Sequence, residues 1–179
     1  MKVVHLAFCT IWFLFRHTYA SVRTLSVDIF PSVSTSAESI SQFISSKEGF
    51  DAPKVKPINS SSYDVWYFDV VAQDGISSVV VAFFLEPLNA GFNVTPDFRT
   101  IVFASIAGSV SNGTLFGATL PATSGVVATV GDGSAGFWND TGLSWSGTPD
   151  MSYYHVEINA VEKSFKGSID LKSVSNAPE

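Results

Sequence analysis

The chain has 179 residues, a formal net charge of −6, and 46 % hydrophobic against 15 % charged residues. This length suits one domain of ordinary size. The apolar content excludes intrinsic disorder, because there is enough apolar surface to form a core. The acidic balance, 16 Asp and Glu against 10 Lys and Arg, argues against a nucleic-acid partner, which requires a basic face. The single Cys excludes an internal disulfide framework and a cysteine-based zinc site.

The first twenty residues have the composition of a secretory signal peptide. Lys2 gives a positive start, residues 3–15 form a mostly apolar run, and small residues precede a cleavage point after Ala20. A membrane anchor is the alternative, but this run is too short for a helical span, which needs about 20 residues. We therefore expect a mature β domain, residues 21–179, that is secreted or stays in the secretory-pathway lumen, with no stable membrane span.

Removal of this segment narrows the chemistry that the domain can carry. Residues 1–20 contain Lys2 and Arg16 but no acidic residue, so 8 basic and 16 acidic residues remain, with no Cys and one His, His155. A Cys nucleophile and a metal site built on several His are thereby excluded. We expect no metal and no cofactor. A Ser-His-Asp triad would have to use His155, although a lone surface His is more often inert.

Four Asn-x-Ser/Thr sequons agree with passage through a glycosylating compartment. The predicted acceptors are Asn59, Asn93, Asn112 and Asn139. Pro96 after the second sequon and the Asp inside the fourth weaken those two. Asn112 also begins an Asn-Gly turn dipeptide, and both interpretations place it at the surface.

The mature chain predicts an almost entirely β structure. Residues 23–30 alternate and stop at Pro31, as expected of a first strand. Residues 66–72 and 78–85 predict a hairpin around Asp74-Gly75, because Gly accepts the positive φ that such a turn needs. The unbroken apolar run of residues 78–85 indicates burial on both faces, as in a central strand or the wall of a cavity.

Further strands follow to the end of the chain. Residues 98–107 and 114–120 predict a second pair, residues 125–130 predict another strand, and the final pair, residues 154–160 and 165–171, alternates between an apolar and a polar face. About nine strands at this spacing predict an all-β fold, either an antiparallel β-sandwich or a lipocalin-like β-barrel.

One short helix is predicted near the N-terminus, over residues 35–45. Thr35-x-x-Glu38 fits a capping box, and Ile40, Phe43 and Ile44 fall on one helical face. Residues 46–62 contain two Pro and a run of Ser, which predict an irregular connection.

The tetrapeptide Trp66-Tyr67-Phe68-Asp69 is the most unusual in the chain. In a strand, Trp66 and Phe68 share one face while Tyr67 and Asp69 share the other. If the polar pair points inward, it gives an apolar cavity two hydrogen-bonding groups, as in many small-molecule sites. If Trp66 and Phe68 form the core, the polar pair faces water. The sequence leaves both possibilities open.

Residues 63–69 followed by residues 74–81 resemble the early strand pair of the fungal lipocalin-like Diels–Alderases. This family is related to hydroxyneurosporene-synthase-type and AttH-type proteins. Residues 165–173 resemble the strand that closes the first domain of the family. Such proteins have two β domains with the pocket near their junction, so the resemblance implies that this chain corresponds to the N-terminal half and that a C-terminal domain is missing.

The resemblance implies an isomerase or cyclase of a natural-product pathway. Such an enzyme would fold a flexible polyene in an apolar pocket for a pericyclic, Diels–Alder-type ring closure, with no metal and no nucleophile. Tyr67 and Asp69 are then the catalytic candidates, and Trp66, Phe68 and Phe83 are the candidates for contact with a hydrophobic small-molecule substrate.

Two other functions remain open from the sequence. One is a secreted lipocalin-like glycoprotein that binds small molecules without catalysis, which the signal peptide and the sequons favour. The other is a glycan-binding β-sandwich that would use exposed Trp138 and Trp145.

Overall fold

The computed structural model describes residues 25–43, 48–87 and 100–174. Within these ranges the chain forms β-strands joined by short connections, and one turn of 3₁₀ helix at Val161–Lys163. The strands are β1 Leu25–Pro31, β2 Ile40–Ser41, β3 Val55–Lys56, β4 Asp64–Val71, β5 Ser78–Leu85, β6 Val102–Ser109, β7 Leu115–Pro121, β8 Ser124–Val130, β9 Gly133–Trp138, β10 Leu143–Gly147, β11 Tyr153–Ala160 and β12 Phe165–Lys172. The predicted signal peptide lies outside the described residues.

The strands form two main antiparallel sheets that pack face to face. One sheet has six strands in the order β1-β8-β9-β10-β11-β12, and the other has four in the order β4-β5-β6-β7. Among the described residues, a two-stranded ribbon, β2-β3, shares no ladder with either sheet. The predicted all-β antiparallel fold is therefore confirmed. In the described part of the chain the two sheets share no ladder, which is the arrangement of a sandwich.

The hairpins lie where turn residues and alternation predicted them. In β4–β5, Tyr67 pairs with Ala82, and the connecting turn has Gly75 at φ +68°. The Asp74 carboxylate accepts the backbone N–H groups of Ile76 and Ser77, each at 2.8 Å, so the turn is held by its own side chain. β5 lies between β4 and β6, as its unbroken apolar sequence predicted.

The core fills the space between the inner faces of the two sheets. Phe83 and Val81 of β5 and Trp138 and Leu143 of the six-stranded sheet are completely buried there. These side chains belong to one continuous hydrophobic cluster that includes residues of both sheets. Burial of this apolar surface is the main force that holds the two sheets together.

The predicted helix over residues 35–45 is wrong where the structure describes it. Residues 35–43 contain no helical turn, and Ile40 instead pairs with Lys56 in the β2–β3 ribbon. The Thr35 hydroxyl accepts the N–H of Ala37 at 3.1 Å, which is a local turn rather than a capping box. Phe43 is almost fully exposed, so the apolar face that would stabilise a helix has no partner. Part of the predicted helix, residues 44–45, lies outside the described residues.

The described residues form no helix with the length and apolar character that a bilayer crossing requires.

Candidate functional site

Five large aromatic side chains form a cluster in the middle of the sandwich. Phe83 lies 4.5 Å from Trp145 between ring centroids, and the indoles of Trp66 and Trp145 stack at 5.2 Å. Trp138 contacts both Phe83 and Trp145, and its indole N–H donates to the carbonyl of Phe84 at 3.1 Å. Phe68 completes the cluster from β4. Such contacts fix the orientations of the rings between the two sheets.

This cluster corrects two sequence interpretations. Phe83 has no exposed surface, which does not agree with its predicted contact with a substrate. Trp138 and Trp145 are buried as well, so they cannot form the exposed platform that the glycan-binding hypothesis requires. Trp66 and Phe68 are also core residues, although both reach a cleft at the edge of the sandwich.

That cleft opens beside β4, the edge strand of the four-stranded sheet, and has a volume of about 240 Å³. Both aromatic and charged side chains line it. The lining residues come from the loop before β3, from β4 and from β11: Asp51, Ala52, Lys54, Asp64, Val65, Trp66, Tyr67, Phe68 and Tyr154.

Asp51 is the centre of a hydrogen-bond network in the cleft. Its Oδ2 atom accepts the hydroxyl of Ser134 at 2.6 Å and that of Tyr154 at 2.9 Å. The indole N–H of Trp145 donates to the Ser134 hydroxyl at 3.1 Å, and that of Trp66 donates to the Asp51 carbonyl at 3.2 Å. Asp51 Oδ1 makes no hydrogen bond with the described residues. Burial raises the pKa of Asp51 above its usual range, despite these donors.

Asp64 and Lys54 stand on the other side of the cleft. The Asp64 carboxylate accepts three backbone N–H groups, from Lys54 at 2.6 Å, Val55 at 3.2 Å and its own neighbour Val65 at 3.0 Å. Burial nevertheless raises the pKa of Asp64. The Lys54 ammonium donates to the carbonyl of Gly49 at 2.9 Å, and burial lowers the pKa of Lys54. Functional sites often contain groups whose pKa values are shifted in this way, with acidic groups raised and a basic group lowered.

Tyr67 and Asp69 point away from the aromatic cluster. Tyr67 is 59 % exposed, and Asp69 is exposed beside it on the outer face of the four-stranded sheet. The possibility that this pair points into the sandwich is therefore wrong. The residues opposite them on β5 are apolar, Ala82 and Val80. Tyr67 and Asp69 thus place two polar groups beside apolar residues of β5, and Tyr67 also lines the cleft.

Sequence reasoning missed Asp51, Lys54, Asp64 and Tyr154. The first two lie in a segment that predicted only an irregular connection, and no local pattern distinguishes them. Tyr154 did give a signal, because a Tyr on the apolar face of a strand needs a buried partner for its hydroxyl. That partner, Asp51, is 103 positions away in the sequence.

The predicted glycosylation sites differ in their exposure. Asn112 is exposed, whereas Asn59 and Asn139 are half-buried. The Asn139 side chain donates to the Ser124 hydroxyl, and Asn93 lies outside the described residues. No cluster of three or more His, Cys, Asp and Glu side chains suited to a metal ion occurs in the ranges that the structure covers.

The chain is similar to several known proteins. The family model described as Diels-Alderase-like matches residues 24–179. The chain is 33 % identical over 144 residues to the quinolone epoxide rearrangement protein penF of Penicillium thymicola, covering 76 % of this chain and 39 % of the relative. It is 33 % identical over 138 residues to the protein asqO of Emericella nidulans, also named a quinolone epoxide rearrangement protein, covering 74 % and 36 %. The Diels-Alderase pyiF of Pyricularia grisea is 30 % identical over 125 residues, covering 69 % and 28 %.

A solved structure has the same fold. The crystal structure of CghA with Sch210972 superposes with a TM-score of 0.68 at 23 % identity, covering 83 % of this chain and 39 % of CghA. This chain thus spans less than two fifths of the length of these relatives. With a family model that matches nearly all of residues 21–179, the chain belongs to the Diels-Alderase-like family.

Proposed function

We propose that this domain forms one wall of the pocket of an isomerase or cyclase that catalyses a pericyclic, Diels–Alder-type ring closure in a natural-product pathway. The observation that carries the proposal is the outer face of the four-stranded sheet, where Tyr67 and Asp69 stand beside the apolar residues Val80 and Ala82. Membership of the Diels-Alderase-like family supports it.

The chemistry requires little beyond shape and one or two hydrogen bonds. An apolar wall holds a flexible polyene folded, so that the reacting carbons approach and the entropic part of the barrier falls. The Tyr67 hydroxyl donates a hydrogen bond to a carbonyl on the reacting alkene, which stabilises charge that develops in the transition state. The Asp69 carboxylate accepts a hydrogen bond from a polar head group of the substrate.

The opposite wall of the pocket belongs, in this proposal, to a further domain. The cleft beside Tyr67 holds about 240 Å³, which is below the range of about 300–1,000 Å³ usual for ligand pockets. The relatives contain more than twice the length that this chain matches.

The test uses a synthetic linear polyene that carries a conjugated diene and an activated alkene. Ring closure consumes the diene, so its ultraviolet absorbance falls while the mass of the compound stays constant. We expect a protein that carries this domain together with the domain of the opposite wall to accelerate this change, and Tyr67→Phe in it to slow the change by roughly ten-fold, the effect of losing one transition-state hydrogen bond. Tyr153→Phe is the matched control, because Tyr153 lies on the outer face of the other sheet.

Three outcomes decide between the candidates. Binding of the polyene without loss of the diene would favour the non-catalytic, lipocalin-like binding protein. Equal rates for the wild type and Tyr67→Phe would remove Tyr67 from the site. The absence of both binding and turnover would contradict the proposed pocket.

A second candidate reaction is the rearrangement of an epoxide, and Asp51 favours it. Opening an epoxide is assisted by an acid that protonates the oxygen while the C–O bond breaks, and later loss of a proton from the rearranged product restores the acid. A half-buried carboxyl with a raised pKa, one oxygen of which makes no hydrogen bond with the described residues, suits this role. Two relatives bear names that refer to such a rearrangement.

One substitution, Asp51→Asn, distinguishes the two candidate reactions. Asp51→Asn keeps an oxygen that accepts from Ser134 and Tyr154 but removes the proton donor. We expect it to abolish conversion of a quinolone epoxide probe and to leave the pericyclic reaction of the polyene unchanged. Loss of both activities would indicate a structural role for Asp51.

We further propose that the protein enters the secretory pathway, from the signal-peptide pattern of residues 1–20 and the sequons. N-terminal sequencing of protein secreted by a fungal host should begin at Ser21. Glycosidase treatment should lower its mass, with Asn112 the most accessible of the described acceptors. Retention of Met1 on the isolated protein would contradict this proposal.

A further inference from the structure

The two side-chain oxygens of Asp51 have different surroundings. Oδ2 accepts the hydroxyl of Ser134 at 2.6 Å and that of Tyr154 at 2.9 Å, and these two donors come from different strands, β9 and β11. Oδ1 makes no hydrogen bond with the described residues. Asp51 is one of the residues that line the cleft. Oδ1 is therefore the oxygen that remains for a hydrogen bond with a ligand.

The direction of the hydrogen bond between Ser134 and Asp51 follows from the ring behind Ser134. An indole N–H can only donate, so the Ser134 hydroxyl oxygen accepts the bond of 3.1 Å from Trp145. The single hydroxyl hydrogen of Ser134 is then donated to Asp51. Ser134 is 2 % exposed and Trp145 is buried in the aromatic cluster, so this chain of donors is shielded from water.

Two donors on one oxygen decide where the neutral acid carries its proton. A carboxyl oxygen offers about two lone pairs to hydrogen bonds. On Oδ2 of Asp51 the hydroxyls of Ser134 and Tyr154 occupy both. A proton on Oδ2 would leave one of these hydroxyls without its acceptor, which is unfavourable away from water. A proton on Oδ1 disturbs neither hydrogen bond.

We propose that Ser134 and Tyr154 are positioning residues, which keep Oδ2 of Asp51 as an acceptor and its proton on Oδ1, where it is donated to a ligand oxygen. The ligand oxygen has a free lone pair, as an epoxide or a carbonyl oxygen does. The inference rests on the second candidate reaction, in which Asp51 acts as an acid on an epoxide. It adds to that reaction the atom that delivers the proton and the residues that select it.

The same two donors assist the proton transfer itself. The O–H bond at Oδ1 breaks while the epoxide oxygen takes the proton and its C–O bond opens. The negative charge that remains on Asp51 is stabilised by the hydroxyls of Ser134 and Tyr154, since a hydrogen bond to a carboxylate favours its charged form. The proton that the rearranged product releases then returns to Oδ1.

Other titratable groups also act on Asp51 and Tyr154. The Lys54 ammonium lowers the pKa of Asp51 and the Asp64 carboxylate raises it, but both affect it less than burial and the two hydroxyl donors do. Burial, then Asp51 and more weakly Asp132, raises the pKa of Tyr154. The Tyr154 hydroxyl therefore keeps its hydrogen and remains a donor.

The test is infrared spectroscopy of the full chain at a pH low enough to protonate Asp51. The C=O band of Asp51 is the one that Asp51→Asn removes. If the proton is on Oδ1, the C=O oxygen is Oδ2, and its hydrogen bonds lower the stretching frequency. Ser134→Ala and Tyr154→Phe should then each raise this frequency, because each removes one hydrogen bond. If the proton is on Oδ2, neither variant removes a bond to the C=O oxygen.

A carbon NMR titration of the Asp51 carboxyl is the second measurement. Both variants should raise the pKa of Asp51, and Ser134→Ala should raise it more, because the Ser134 hydroxyl lowers this pKa more than the Tyr154 hydroxyl does. Two variants on different strands protect the test against misfolding of one of them, and circular dichroism checks each.

Two matched controls lose a hydroxyl that does not reach Asp51. Thr129→Val removes a buried hydroxyl directly opposite Ser134 that has no hydrogen-bond partner among the described residues. Tyr153→Phe removes the neighbour of Tyr154, whose hydroxyl donates to Asp170 on the outer face. Both controls should leave the C=O band and the pKa of Asp51 unchanged.

Neither measurement requires turnover, so the inference and the proposed function can fail separately. An Asp51 band that stays in place in both Ser134→Ala and Tyr154→Phe would overturn the inference, even if a quinolone epoxide probe is converted. Both shifts without conversion of that probe would support the position of the proton and contradict the epoxide reaction.

Discussion

The aromatic cluster and the cleft beside it share two tryptophans but differ in what stabilises them. In the cluster, Trp66 and Trp145 stack at 5.2 Å among buried apolar rings. At the cleft, their indole N–H groups donate toward the Asp51 network. The cluster is stabilised by burial and is insensitive to pH. The cleft contains half-buried carboxyl groups whose protonation depends on pH.

The difference shows how buried rings position the polar groups that the loop before β3 brings to the cleft. The rings are fixed by packing, and their polar edges then fix a hydroxyl and a carboxylate from two distant segments, Ser134 and Asp51. Rigid hydrophobic packing thus positions the polar groups. Substitutions should therefore affect the two regions in different ways.

The largest effect on stability is expected from Gly136→Ala, which places an extra methyl group against the aromatic cluster. A Cβ atom at Gly136 would lie 1.9 Å from the Trp145 ring, and Trp145 is enclosed by Trp66, Trp138 and Phe83. Because the ring has no space to move into, we expect a loss of about 3 kcal/mol in the free energy of unfolding, measured by denaturant titration.

Gly117→Ala is the control for this prediction. Gly117 is also in a strand, but it is exposed and its Cβ would meet nothing closer than 3.3 Å. It should therefore change stability only slightly. Equal losses in the two variants would mean that loss of glycine flexibility, rather than the contact with Trp145, causes the effect.

A smaller effect, dependent on pH, is expected from Asp51→Asn in the cleft. Burial raises the pKa of Asp51 in the folded state, so its contribution to stability is complete below the unfolded pKa and is lost as the pH rises through the folded pKa. Asn does not ionise. The free energy of unfolding of Asp51→Asn should therefore improve relative to the wild type as the pH rises above the ordinary Asp pKa of about 3.9. Thermal unfolding at a series of pH values measures this, and a difference that does not vary with pH would contradict it.

The smallest effect is expected at an exposed cluster that belongs to neither region. His155 Nδ1 lies 2.7 Å from Asp170, and Nε2 lies 3.3 Å from Glu157. The hydrogen bond with Asp170, followed by that with Glu157, raises the pKa of His155. Asp170→Asn should lower the pKa of His155 in an NMR titration, and Glu157→Gln should lower it less. Stability should hardly change, because both carboxylates are exposed to water. No movement of the His155 titration in Asp170→Asn would contradict the assignment.

Most of the fold could be predicted from the sequence. Alternation placed β11 and β12, Asp74-Gly75 placed the turn between β4 and β5, and the apolar run of β5 predicted its central position. These patterns are local, because side chains of a strand alternate between faces and few residues accept the backbone of a tight turn. The helix failed because its local pattern lacked an apolar surface to pack against.

The candidate site was predicted only in part. The sequence identified Trp66, Tyr67, Phe68 and Asp69 as unusual but left their orientation open. The structure directs Trp66 and Phe68 into the core, because the Trp145 ring of β10 faces them there. Asp51 and Tyr154 escaped prediction because their hydrogen bond joins residues 103 positions apart.

The sequence by itself determined the β class, the hairpins and the family resemblance, since each depends on residues that are neighbours in the chain. Only the tertiary structure decided which face of β4 is buried and which carboxyl groups meet in the cleft. The reason is physical: burial, pKa and complementarity depend on what surrounds a side chain, and those surroundings come from segments that are distant in the sequence.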